Sequence, residues 1–269
     1  MRRSSDLDLL GLHQQHHEIA TMRSYASTRR HLFRHAAGLC LPCATAGLAT
    51  AQPATSPHGF AAYGAFRNLM QRRDFAPKVT LERLRADNVT EAVGALADLR
   101  GEVTIIDGRS VVSLGPCPEC STNADSACLA AVARVSRWTS EVVTQDIVGR
   151  DLRGYVAERA TANGVDLGAP FPFRFRGSLL NVLMHVNGGP DPRFTGHGSL
   201  APMAMSDLYR EAVLEGDVVG FHASASMVGI ISHAGDPLHC HWVSPSRDAT
   251  AHLDDFGLRA GGTLSFPSQ

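Results

Sequence analysis

Apolar and polar positions along the chain divide it into many short β-rich runs separated by a few helical ones. Residues 60–73 place apolar side chains at helical spacing, and residues 79–86 read as a short helix of the LERLRAD type. Strands follow. Residues 103–106 form an apolar strand, and Asp107-Gly108 lies between two β-rich runs, the dipeptide favoured where both central residues of a hairpin turn take positive φ. Gly94, Gly101 and Gly108 recur at seven-residue intervals along this stretch. Residues 127–135 read as a short strand or helix, and residues 146–163 as an amphipathic helix ending before Gly164. The second half opens on the strand FPFRFRGSLLNVLMHV, passes through a helical stretch at residues 206–215, and continues through DVVGFHASASMVGIISHAG to a last hairpin. No long-period repeat of the solenoid kind is present. Strands outnumber helices in both halves, so the predicted class is α+β: two domains, strand-rich, with mixed or antiparallel sheets. The boundaries read as residues 56–165 for an N-terminal α/β domain and 166–269 for a C-terminal strand-rich, metal-binding domain.

The last hairpin carries the chemistry. In PLHCHWVSPSRDATAHLDDF, His239 and His241 flank Cys240, and His252 follows eleven residues after His241. Alternate side chains on a strand share a face, so His239 and His241 lie side by side while Cys240 points to the opposite face. A turn at residues 244–248 brings His252 back from the next strand. Three neutral nitrogens with a fourth position open are how catalytic zinc is held. An iron oxygenase site in a cupin-like barrel would need a glutamate a few residues after the second His, and residues 244–248 contain none.

Composition narrows the setting. The 269 residues, 44% of them hydrophobic, suffice for a proper core. A formal net charge of -1 without any Lys/Arg run gives no electrostatic reason to expect nucleic acid or an anionic membrane as partner. Beyond the N-terminal segment, no apolar stretch of about 20 residues is available to span a bilayer.

Residues 1–55 read as an address and linker rather than as part of the fold. Arg29-Arg30 precedes an apolar segment at residues 36–51, and Ala49-Thr50-Ala51 has the small-x-small form of a cleavage site. The pattern predicts twin-arginine export, to the periplasm or beyond, of a protein already folded around its metal. A start at Met22 would give a signal of ordinary length. After cleavage the cysteines are Cys117, Cys120, Cys128 and Cys240. The first three lie in a turn-rich loop, where a disulfide from Cys128 to Cys117 or Cys120 is favoured over zinc, because the loop supplies no fourth ligand.

These segments together resemble one family. VGALADLRGEVTIIDG is similar to the GTFxxLDGELIxxDG segment of the acetolactate decarboxylases, and RFRGSLLNVLMHV to their KIxGxFxxVKxRSV strand. Residues 218–256 resemble their VGFxxPxYxxGIxVxGYHLHFxxxxRxxGGHVxDF block, including an arginine six residues after the H-x-H pair, here Arg247. The resemblance covers about residues 80–256. It implies a two-domain α/β fold, a homodimer formed by sheet extension, zinc held by His239, His241 and His252, and conversion of 2-acetolactate to acetoin with loss of carbon dioxide. It also implies that Glu102 stands at the position of an active-site glutamate.

The chain departs from the pattern in three places. His185 stands where the family has an arginine for the substrate carboxylate, and imidazole lacks the planar two-pronged donor set of guanidinium. The 17 residues after His252 lack the family's C-terminal glutamate. Residues 235–238, which lead into the metal clamp, replace the family's GYH approach with a longer one, while His222 and His233 lie upstream as further imidazoles. Glu102 and His185 are thus the catalytic candidates, for a small 2-hydroxy-3-oxo acid. The competing reading is a divergent member that binds metal or a small ligand without turnover or on another substrate.

Overall fold

The computed structural model describes residues 57–116, 124–190 and 204–268. The predicted export signal, together with Cys117 and Cys120, lies outside the described residues.

Among the described residues the strands form two antiparallel sheets. The first contains β1 (Ala61–Tyr63), β2 (Val79–Thr80), β3 (Glu91–Leu96), β4 (Gly101–Ile106), β5 (Arg109–Leu114) and β6 (Ser126–Ala133), in the order β1-β6-β3-β4-β5 with β2 on β6. The second contains β7 (Trp138–Val142), β8 (Phe171–Pro190), β9 (Ala204–His222), β10 (Leu238–Val243), β11 (Thr250–Leu258) and β12 (Thr263–Pro267), in the order β11-β10-β9-β8-β12-β7. The α-helices among the described residues are α1 (Phe66–Arg72), α2 (Leu81–Ala86) and α3 (Gly149–Ala162). The strand-rich α+β expectation holds, and of its two sheet alternatives the antiparallel one is observed.

Local chemistry explains most of these elements. The Asp107-Gly108 turn has φ of 52° and 74°, as a tight hairpin between right-twisted strands requires. Gly64, at φ 72°, breaks the run expected to be one helix into β1 and α1. The Thr80 hydroxyl accepts from the Arg83 amide at 3.1 Å and caps α2. On β8, Phe171, Phe173 and Phe175 alternate inward and are fully buried, packing with Leu152, Val156 and Ala160 of α3. Replacing Phe173 by alanine should therefore cost about 3–5 kcal/mol, read as a lowered urea midpoint at unchanged slope.

A further element is corrected. Residues 206–215, expected as a helix, belong to β9, which pairs with β8 from the Phe171–His222 partner pair through Asn187–Ser206. That long ladder overrides a local sequence with helical spacing.

Two features of packing position the site. Val93, Ile106 and Ala131 of the first sheet share a core cluster with Val219, Phe221 and Val243 of the second, so the sheets meet face to face. β11 pairs with both β10 and β8, closing β8, β9, β10 and β11 into a ring of antiparallel ladders. Cys128 is not in a disulfide; its buried thiol lies 3.2 Å from the Leu96 carbonyl, to which it donates, and burial pushes its pKa up to about 12.

Candidate metal centre

Strand register builds the centre. His241 of β10 is directly opposite His252 of β11, and His252 is in turn directly opposite His185 of β8. Opposed residues project to the same face, so three imidazoles form a cross-strand row, with His239 beside His241 two residues back. Ring centroids are 5.4 Å apart for His241–His252, 5.1 Å for both His239–His241 and His239–His252, and 4.8 Å for His185–His252. One ligand nitrogen from each of His239, His241 and His252 falls within 4.8 Å of the others.

These three rings are held neutral. Burial, then the neighbouring His233, pushes His239 down to about 3. Burial and adjacent imidazoles likewise keep His241 and His252 well below the usual histidine range. Their lone pairs are therefore available to a cation at neutral pH. His239 donates from Nδ1 to the Ile231 carbonyl at 2.8 Å, which leaves Nε2 as its acceptor nitrogen. Nε2 of His241 is buried with no hydrogen-bond partner, an orphan that a cation would satisfy. Three neutral nitrogens, two of them from residues that line a small pocket, could hold a metal ion.

Glu102 reaches the same cavity from β4 of the first sheet. Its Oε2 is 3.7 Å from His241 Nε2, while Oε1 accepts from the Asn187 side-chain amide at 2.6 Å and its backbone amide at 3.3 Å. Burial raises its pKa to about 7 against the lowering effects of His185 and the Asn187 hydrogen bonds. His185 lines the same pocket and pairs through Nδ1 with Asp254 Oδ2 at 2.7 Å. Burial opposes its charge, but Asp254 and Glu102 outweigh it and raise the pKa above the ordinary histidine value. The small pocket is completed by an apolar wall that includes Phe66, Leu69 and Leu129.

The structure thus brings together all five residues singled out from the sequence: Glu102, His185, His239, His241 and His252. Of the other imidazoles, His233 lines the pocket and packs on Phe66 at 4.3 Å, whereas His222 stacks on Phe171 at 4.8 Å. Cys240 faces away into the core, as strand alternation predicts. Arg247 does not line the pocket; it pairs with Asp107 at 2.8 Å and ties the β10–β11 hairpin to the β4–β5 hairpin.

No protein-family model and no curated protein sequence matches the chain. Solved structures do match. The chain superposes on the α-acetolactate decarboxylase of Bacillus subtilis strain 168 with a TM-score of 0.61 at 13% identity, covering 78% of this chain and 86% of that one. The acetolactate decarboxylase of Bacillus subtilis subspecies spizizenii gives 0.62 at 13%, with the same coverage. The fold is that of the acetolactate decarboxylases. A Staphylococcus aureus protein of unknown function, described as similar to α-acetolactate decarboxylase, also shares it: TM-score 0.57, 14% identity, 77% of this chain and 84% of that chain.

On this acetolactate decarboxylase fold, several residues around the pocket escaped sequence reasoning. Asn187 was legible in retrospect, since it lies two residues after His185 and so on the same face of β8. Asp254 was not, because it sits at an irregularity in the β11–β8 ladder between the paired residues Leu253 and Asp255. Such bulges re-aim a side chain without a sequence signature.

Proposed function

We propose that this chain is a divergent acetolactate decarboxylase, a carboxy-lyase that converts 2-acetolactate to acetoin and carbon dioxide with zinc on His239, His241 and His252. The observation that carries the reading is the gathering of three buried neutral imidazoles, a buried carboxyl 3.7 Å from one of them and a carboxylate-paired histidine at one small pocket, which all of these but His241 line. Zinc bound by these nitrogens supplies a Lewis acid for the substrate's carbonyl and hydroxyl oxygens, worth on the order of several kcal/mol of barrier.

The remaining roles fall to the chain's own side chains. His185, charged and backed by Asp254, receives the substrate carboxylate in place of the family's arginine. As carbon dioxide leaves, its bonding electron pair moves into the neighbouring carbonyl. Glu102, protonated and oriented by Asn187, returns a proton to the carbon that lost the carboxylate. Phe66, Leu69 and Leu129 exclude water and accept the methyl groups. Among the described residues no helix is long and apolar enough to cross a membrane. The reading includes export through the segment ending at Ala51 and assembly as a homodimer.

The test is acetoin formation from racemic 2-acetolactate by the zinc-loaded protein. Turnover above the spontaneous rate, lost on chelation and restored by zinc, is the expected result. Bound zinc without turnover would overturn it and indicate another substrate or a binding role. In that case a gain of activity in His185→Arg would trace the failure to carboxylate binding.

A further inference from the structure

The environment of His241 holds a chain of hydroxyls whose direction can be deduced. The Thr250 hydroxyl donates to the Trp242 carbonyl at 2.8 Å, an oxygen that has no hydrogen to give. Thr250 Oγ1 also lies 2.6 Å from Thr104 Oγ1, and Thr104 Oγ1 lies 3.0 Å from His241 Nδ1. Each hydroxyl has one hydrogen. With that of Thr250 spent on Trp242, the hydrogen between the two threonines must belong to Thr104. The lone pair left on Thr104 then accepts from Nδ1–H of His241. All three side chains are buried, so water does not compete. We propose that Thr104 and Thr250 are positioning residues that lock His241 in its Nδ1–H tautomer and so leave its buried Nε2 lone pair free for the candidate metal site.

A second consequence follows from where Thr104 sits. It lies on β4 of the first sheet, two residues after Glu102 and on the same strand face, whereas His241 and Thr250 belong to the second sheet. The same hydroxyl chain therefore links the two sheets and sets the spacing between the Glu102 carboxyl and the imidazole 3.7 Å from it. Thr250 touches neither the cavity nor the carboxyl. Its removal should nevertheless matter: once Thr104 loses its acceptor, its hydrogen is free to turn toward Nδ1 and favour the opposite tautomer, whose Nε2–H cannot bind metal.

The inference rests on the metal reading of the three histidines, but its first test needs no metal. In metal-free wild type, ¹⁵N imidazole NMR should show His241 Nδ1 as the protonated and Nε2 as the unprotonated nitrogen; the reverse would overturn the proposal whether or not zinc binds. Thr104→Val and Thr250→Val should both shift that tautomer balance and weaken zinc binding about 10- to 100-fold in chelator competition, while Thr104→Ser restores both. Unchanged tautomer and affinity in a folded Thr250→Val variant would reduce the threonines to packing. Should the valine variants not fold, the wild-type spectrum and the serine variant still decide. Failure of the wild type to bind zinc, with the expected tautomer intact, would instead count against the metal reading alone.

Discussion

Replacing His239 and His241 together by alanine should reduce bound zinc from one ion per chain to none and bring acetoin formation down to the spontaneous rate. Two of the three ligand nitrogens within 4.8 Å of one another disappear, and His252 alone cannot hold the ion. Elemental analysis and the acetoin assay give the primary readings. A thermal readout separates lost binding from lost folding. A ligand that binds only the native state stabilises it by about 2.7 kcal/mol at a hundred times its Kd. Zinc should thus raise the Tm of wild type and leave that of the double variant unmoved. A variant that still gained Tm with zinc would move the metal site elsewhere.

Glu102→Gln should retain zinc and lose about 10²–10⁴ in kcat, the usual contribution of a positioned proton donor. Glutamine keeps the acceptor for Asn187 but has no acidic proton, so the loss reports chemistry rather than architecture. Stability gives an independent reading in metal-free protein. The folded pKa of Glu102 is raised to about 7 from 4.5, with burial as the main cause. Between these values the unfolded chain has released its proton while the folded one has kept it, so wild type loses stability as pH rises through that window. Metal-free Glu102→Gln, which does not titrate, should therefore match wild type below about pH 4.5 and exceed it above about pH 7. Urea midpoints at pH 4 and pH 8 check this; equal differences at both would show that the carboxyl is not buried as described.

The proposed proton donor and the candidate metal ligands were legible to different degrees. The H-x-H pair and its returning histidine could be read because strand alternation and a turn-forming loop act over a few residues, and β10 and β11 bear this out with His241 opposite His252. Glu102 stands in a β4 that is buried along its whole length, and without the family resemblance nothing local separated it from an ordinary strand-end carboxylate. The helix expected at residues 206–215 failed for a related reason. Its spacing is helical, but pairing along β8 supplies a ladder that local spacing cannot anticipate.

By itself, the sequence determined what short-range geometry governs: the Asp107-Gly108 hairpin, the alternating phenylalanines of β8, α3, and three of the imidazoles around the cavity. Only the tertiary structure decided the rest. Pairing of β11 with β8 sets His185 against His252 across 67 positions of chain, and an irregularity in that ladder turns Asp254 onto His185. Packing of the two sheets delivers Glu102 and Thr104 to His241. These contacts join segments that share no local signal; their partners are selected by burial of apolar faces and by ladder register, which belong to the folded chain as a whole.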